Sequence, residues 1–374
     1  MEIDQEDEPI SEDVVEQRAL TSTLNSFFVY GKAAHRNLIE PRQRTLAWIP
    51  PSHRQLLLNS VNYADHIRQL ELAIDKNAEF LKLLAIFGAN EFEAPQDKNE
   101  WHPVTEIQVS QARSTLKQIY RDWSAEGKPE RDICYGRAIN ELNSKFESFN
   151  RSSIRVLVPG AGLGRLAYDI ACEGYISQGN EFSYHMLMTS NFILNQTTSQ
   201  NEFGIYPFLH SFSHLSTFSN QIRKISFPDL CPSTNKISTA NNFSFTAGSF
   251  TQIYSTMLSS WHVVVTTFFI DTAHNIIEYI ETIYNTLVDN GLWVNFGPLL
   301  YHFEESSYEG SQEGSLELPL DDLITIVRQM GFEFEKIEQG IKCKYAADER
   351  SMGNWEYDSV FWVARKKLKI EREN

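Results

Sequence analysis

The stretch that most constrains this fold runs from Ile154 to Glu181. Ile154, Val156 and Val158 lie in an apolar, β-branched run, the pattern of a buried strand. Gly160, Gly162 and Gly164 follow at once, where a strand turns sharply into a helix and a ligand can approach the backbone. Beyond them Leu163, Leu166, Ala167, Ile170 and Ala171 recur at helical spacing. Glu181 stands 21 residues after Gly160, at the end of a second predicted strand. A carboxylate there accepts hydrogen bonds from both hydroxyls of a ribose. Strand, glycine turn, helix and spaced acid together predict a nucleotide-type cofactor site. The dinucleotide fingerprint G-x-G-x-x-G presents helix N–H groups to a pyrophosphate. Here the third glycine comes one residue early and Arg165 holds its place. That spacing suits a ligand without a pyrophosphate, such as S-adenosylmethionine. A glycine turn with no ligand and a nicotinamide-dependent oxidoreductase are the alternatives.

Charge narrows the partners. The 374 residues carry 33 basic against 49 acidic side chains, net −16, the wrong sign for a phosphate-backbone binder. No nucleic-acid partner is therefore expected. No apolar run is long enough to cross a bilayer and no signal peptide is visible, so no membrane partner is expected either. Cys134, Cys172, Cys231 and Cys343 lie far apart without a C-x-x-C, and read as reduced, buried thiols. The expected location is the cytoplasm, with the nucleus as a second compartment.

Along the chain, residues 1 to 16 hold eight acids and no base, and residues 1–20 read as an acidic, disordered tail. Residues 21–150 read as helical. Phe80, Leu83, Leu84 and Phe87 mark one amphipathic helix, and Val109, Ala112, Leu116, Ile119 and Trp123 mark another. From 151 to 366 strands and helices alternate, which implies a mostly parallel sheet with helices on both faces. Strands are expected at Phe243–Ala247, Trp261–Ile270, Gly291–Gly297, Phe332–Ile337 and Val360–Ala364, the last two as an antiparallel edge pair. Ile276, Ile280, Ile283, Tyr284 and Leu287 mark the helix after the second of these. A long irregular insertion spans about 198–242, and a basic tail 367–374 ends the chain.

In open parallel sheets ligands bind at the carboxyl ends of the strands. Four such ends carry chemistry here: the glycine loop, Glu181, Ser249-Phe250 and Asp271. Phe250 either stacks on an adenine ring or fills the core. Asp271 either caps the next helix or faces the substrate, since Asp is a common N-cap. His302 follows the Gly291–Gly297 strand, where a histidine more often has a structural role. His210 and His214 sit four apart without the neighbours a metal site needs. No metal is expected, and His185 and His274 read as structural.

Pro-Gly-Ala-Gly-Leu-Gly-Arg, Gln-Gly-Asn-Glu-Phe-Ser, Phe-Phe-Ile-Asp-Thr-Ala-His-Asn and Gly-Pro-Leu-Leu-Tyr-His-Phe together resemble the carnosine N-methyltransferase family, over about Ala33 to Lys366. The resemblance implies a class I S-adenosylmethionine-dependent methyltransferase: a Rossmann-like, mostly parallel seven-stranded sheet preceded by helices. It implies methylation of the histidine imidazole of carnosine, giving anserine, and of similar short peptides. By motif, Gln118 and Arg121 match cofactor contacts from the N-terminal helices, and Gly160, Gly162 and Glu181 match the cofactor loop and ribose ligand. Ser249 and Phe250 stand where the family has Ala-Gly-Asp-Phe, Ser replacing the Asp. Thr267 falls where a Cys is common beside the cofactor. Asp271, His302 and Tyr357 match the residues that hold the dipeptide.

The chemistry of the two partners then sets a mechanism. A sulfonium methyl is already activated, so the protein must align an imidazole lone pair with it and exclude water. Asp271 is expected to accept one imidazole N–H, freeing the other nitrogen as nucleophile. A protein-histidine N-methyltransferase and a non-catalytic interaction module of the same fold are the rival readings. The oligomeric state stays open, a homodimer among the options.

Overall fold

The computed structural model describes residues 12–234, 242–304 and 314–367. The chain divides into two units. One holds the described residues up to Lys117, with Asn201–Ser226 and Arg350–Met352. The other holds Gln118–Gln200, Phe227–Glu349 and the described residues from Gly353 onward.

The first unit is helical. It contains α1 (Glu12–Ala34), a π-helical turn (His35–Ile39), α2 (Glu40–Trp48), α3 (Pro51–Val61) and α4 (Tyr63–Glu91), and most of α5 (Glu106–Trp123). Leu24, Phe27 and Tyr30 of α1 are buried, as are Ile74, Leu81 and Leu84 of α4. The two helices cross closely at Gly31, where an added Cβ would lie 2.8 Å from the Ala78 Cβ. On α4, Phe80 and Leu84 are buried as the spacing predicts, while Leu83 faces solvent. α1 opens at Glu12, inside the stretch read as an acidic tail. Leu20 and Leu24 anchor the helix, and extending an existing helix by a turn is far cheaper than nucleating one. Acids near its start also suit the helix dipole. Residues 1–11 lie outside the described residues.

The second unit carries the sheet. After α6 (Lys128–Lys145) come β1 (Arg155–Pro159), α7 (Arg165–Cys172), β2 (Ile176–Glu181) and α8 (Tyr184–Gln196). The stretch expected to be irregular holds short pieces, β3 (Phe203–Ile205), α9 (Phe218–Gln221) and β4 (Ile225–Phe227), and its residues Asn201–Ser226 group with the helical unit. Then follow β5 (Phe243–Ala247), α10 (Phe250–Tyr254), β6 (Trp261–Thr267), α11 (Ile276–Thr286), β7 (Leu287–Gly297), α12 (Leu320–Gln329), β8 (Phe332–Cys343) and β9 (Tyr357–Lys366). Seven strands form one sheet in the order β5-β2-β1-β6-β7-β9-β8. All neighbours are parallel except β9, which pairs antiparallel with both β7 and β8. This is the mostly parallel, Rossmann-like seven-stranded sheet expected from the sequence.

Strand alternation sorts the core into two layers. Val156 and Val158 of β1, with Val263 and Val265 of β6, pack with Ala138 and Leu142 of α6 and Leu166 and Ile170 of α7. Leu157 and Val264 point the other way, onto Ile276 and Ile280 of α11 and Leu323 of α12. Burial on both faces explains why these strands read as continuous apolar runs.

Four details differ from the sequence reading. The strand expected over Trp261–Ile270 ends at Thr267, because Phe268 bends the chain at φ of 52°. Leu287 begins β7 rather than ending α11: its N–H still bonds back to Ile283 and its side chain stays buried, so it keeps helical spacing while its backbone turns extended. The last two strands run longer than expected, reaching Cys343 and starting at Tyr357, because the ladder between them continues through Cys343 and Tyr357. Cys172 is exposed, because the buried face of α7 passes through Ile170 and Ala171 and leaves the next residue outside. Residues 368–374, most of the expected basic tail, lie outside the described residues.

Candidate active site

Every site residue expected from the sequence falls in the sheet-bearing unit, Gln118 and Arg121 included, because that unit takes over the last turns of α5. The site starts at the carboxyl end of β1. Gly160 and Gly162 adopt φ of 61° and 55°, a region costly for other residues. At Gly160 there is also no room: an added Cβ would lie 2.3 Å from the Phe269 ring. The loop is pinned by the Ala161 N–H, which donates to the Asn180 carbonyl at 2.9 Å. Glu181 ends β2 and turns its carboxylate back to the loop. Its Oε2 accepts the Gly162 N–H at 2.9 Å, and its Oε1 accepts those of Phe182 and Ser183 at 2.8 Å each. Burial pushes this carboxyl up from the usual range, and those three N–H donors oppose the push. Three backbone N–H groups thus hold the Glu181 carboxylate beside the glycine turn.

The end of α5 closes on this loop from the other side. Trp123 Nε1 donates to the Leu163 carbonyl at 3.0 Å, and Arg165 Nη1 donates to the Asp122 carbonyl at 2.9 Å. Arg121 is 3% exposed and is held by Asp122 and Glu130, with its guanidinium 4.6 Å from the centre of the Tyr345 ring. Gln118 Nε2 donates to the Tyr345 hydroxyl. Both residues thus converge on Tyr345.

At the end of β5, Asn180 Nδ2 donates to the carbonyls of Thr246 and Gly248, and so fixes the turn that leads to Ser249 and Phe250. Ser249 Oγ lies 3.4 Å from Thr251 Oγ1. Phe250 is buried, and its ring packs against Tyr254, Phe269 and Tyr279 with centroids 5.5–5.6 Å apart.

β6 ends in a sharp bend. Thr267 Oγ1 is buried with no hydrogen-bond partner among the described residues. Phe268 takes φ of 52°, tied by its N–H to the Phe296 carbonyl at 2.9 Å. Its ring turns towards Tyr345 (4.9 Å) and Tyr357 (6.3 Å), while Phe269 covers Gly160 and stacks on Tyr279 at 4.8 Å. The glycine turn, the Glu181 carboxylate and the orphaned Thr267 hydroxyl fit an adenosyl group with a short unphosphorylated tail. Among the described residues, no group of three or more His, Cys, Asp or Glu is placed to hold a metal.

Asp271 lies three residues past that bend, 3% exposed. The cap of α11 is Asn275, whose Oδ1 accepts the Ile277 N–H at 3.1 Å, so helix capping does not explain Asp271. Its Oδ2 accepts the Leu300 N–H at 2.8 Å and its carbonyl accepts the His302 N–H at 3.1 Å. Burial raises the Asp271 carboxyl, opposed by the Leu300 amide and by His302. Burial, then the negative charge of Asp271, raises the Tyr357 hydroxyl. The structure thus brings Asp271, His302 and Tyr357 into one electrostatic neighbourhood, although they are spread over 86 positions of sequence.

Sequence reasoning passed over Asp122, Phe268, Phe269 and Tyr345. Asp122 left a signal: it continues the buried face of α5 through Thr115 and Ile119, and an acid on such a face wants a purpose. Elsewhere, burial pushes the imidazole of His185 down to about 4 and that of His210 down to about 3, which makes both neutral.

Comparison with known proteins bears directly on this site. The family profile described as carnosine N-methyltransferase matches residues 98–368. The carnosine N-methyltransferase of Schizosaccharomyces pombe is 42% identical over 364 residues, covering 94% of this chain and 97% of that protein. The one from Mus musculus is 39% identical over 361 residues, covering 95% and 88%. Carnosine N-methyltransferase unmet of Drosophila melanogaster is 36% identical over 376 residues, covering 94% and 80%. Among solved structures, a SAM-dependent methyltransferase from Methanosarcina mazei is 12% identical with a TM-score of 0.38, covering 57% of this chain and 93% of that one. With the family profile spanning the glycine loop, Glu181, Asp271, His302 and Tyr357 together, this chain belongs to the carnosine N-methyltransferase family.

Proposed function

We propose that this protein transfers the methyl group of S-adenosylmethionine to an imidazole nitrogen of carnosine, giving anserine, and to short peptides that present the same ring. The observation that carries this reading is the buried Asp271 carboxylate after β6, held by the Leu300 amide, with the backbone N–H of His302 on the Asp271 carbonyl. S-adenosylmethionine, when bound, supplies a methyl on a positively charged sulfur that leaves as a neutral thioether.

The chain does the rest by placement and charge. Gly160, Gly162 and Glu181 hold the adenosyl end, with Thr267 at the neighbouring strand end. Asp271 accepts the N–H of one imidazole nitrogen, so the lone pair of the other points at the methyl. As the new N–C bond forms the ring becomes cationic, and the Asp271 carboxylate stabilises that charge. The N–H proton then leaves the ring through Asp271 to solvent, restoring a neutral imidazole. His302 and Tyr357 hold the rest of the peptide. Incubation with carnosine and cofactor should give a product heavier by one methylene in mass spectrometry. Label appearing only in macromolecular acceptors would shift the reading to histidines within proteins.

This reading includes a homodimer. α2 and α3 contain no buried residue, and Trp48 is 86% exposed. The eleven-residue α3 is marginal in water unless a face is covered, whereas α2 continues α1 through the π-helical turn. Sedimentation equilibrium should give twice the chain mass, and Trp48→Ser should lower it. Among the described residues no helix is long and apolar enough to cross a membrane.

A further inference from the structure

We infer that Asp122 holds the α-ammonium of the cofactor's amino-acid end; the inference rests on the cofactor proposed above. Asp122 is 2% exposed, at the end of α5. Its two side-chain hydrogen bonds, from Arg121 Nη1 at 2.9 Å and the Tyr135 hydroxyl at 3.0 Å, both end on Oδ1. Oδ2 points at the glycine loop, 3.8 Å from where a Cβ on Gly162 would stand. Gly162 is also the residue whose N–H is taken by Glu181. Two carboxylates therefore bracket one glycine, one from β2 and one from α5.

They differ in what they can bind. Glu181 sits where ribose hydroxyls are read. Asp122 belongs to a cluster in which two carboxylates, Asp122 and Glu130, meet the single guanidinium of Arg121. Arg121 occupies Oδ1 and so fixes the rotamer that aims Oδ2 at the loop. A buried carboxylate oxygen aimed at a ligand cleft stabilises a cation with N–H donors, and the one such group on this cofactor is its α-ammonium. The sulfonium offers no donor. Arg121, besides its expected contact with the cofactor, then positions Asp122.

The test is calorimetric, on the full chain, with two probes: S-adenosylhomocysteine and its analogue lacking the α-amino group. Both have neutral sulfur, so the sulfonium is removed from the comparison. Wild type should bind the amino-bearing probe about 10- to 100-fold more tightly, as expected for a charge-assisted hydrogen bond. Asp122→Asn, which keeps shape and an Oδ1 acceptor, should lose most of that gap while binding the deaminated probe as before. Equal weakening of both probes would make Asp122 merely structural and overturn the inference. So would a wild type that fails to discriminate them, without need of any variant. Wild type binding neither probe would overturn the cofactor reading itself.

Discussion

The main-chain amide of Leu300 donates to Asp271 Oδ2 at 2.8 Å, while the Asp271 carbonyl accepts the N–H of His302 at 3.1 Å. The segment after β7 is thereby clipped to the bend after β6. The acid expected to meet the imidazole and the histidine expected to hold the peptide are fixed relative to each other through the backbone. Only one carboxylate oxygen is used in that clip.

Asp271→Asn tests the charge apart from the clip, because the amide oxygen can still accept from Leu300. Turnover of carnosine should fall at least about 100-fold, the scale of a lost electrostatic or proton-accepting group. Binding of S-adenosylhomocysteine should stay within about twofold, since its expected ligands, Thr267 apart, lie on other elements. Single-turnover kinetics together with calorimetry separate the two effects. Near-normal turnover would remove Asp271 from the mechanism.

Glu181→Gln should act in the opposite way. It keeps shape but replaces a carboxylate that accepts three backbone N–H groups and is proposed to bind a ribose diol. Loss of charge-assisted bonds of this kind costs about 1.5–3 kcal/mol, or about 10- to 100-fold in cofactor affinity. The peptide's own KM at saturating cofactor should be unchanged. A variant that weakens peptide binding alone would misplace Glu181.

Glycines in two places should respond with opposite signs. Gly160→Ala meets both a positive φ and the Phe269 ring, and should destabilise the protein by about 1–3 kcal/mol in urea unfolding. Gly136 lies inside α6, and a Cβ there would meet nothing closer than 3.9 Å. Gly136→Ala should therefore stabilise by about 0.5–1 kcal/mol. Two changes of the same sign would contradict the packing described.

Acid should weaken the fold through its neutral histidines. The imidazole of His185 is pushed down to about 4, below its unfolded value of 6.5. Between those two values the unfolded chain binds a proton that the native chain refuses, so stability rises with pH and falls on acidification. The slope is about 1.4 kcal/mol per pH unit for one such group. Wild type should lose about 2 kcal/mol more than His185→Asn between pH 7 and pH 5, read from paired urea titrations. Parallel losses in the two proteins would show that His185 titrates normally.

What the sequence determined by itself was local. Alternation and glycine spacing located β1, its turn, α7 and Glu181, because strand burial, positive φ and a sharp turn each demand particular residue types within a few positions. The antiparallel ending was legible for the same reason. Leu287 was misplaced because a buried leucine satisfies helical spacing and an extended backbone equally well. The meeting of Asp271, His302 and Tyr357 was visible only through resemblance, since no rule of spacing links three positions on separate elements. Asp122, Phe268 and Tyr345 show the limit most clearly. Nothing near Asp122 in the chain says that Gly162 will lie against it: that contact exists only once α5 is docked on the loop. The direction of Phe268 is likewise decided by a backbone bond to Phe296 across the sheet. Backbone conformation is chosen over a few residues, whereas the aim of a buried side chain depends on whatever the whole core packs against it.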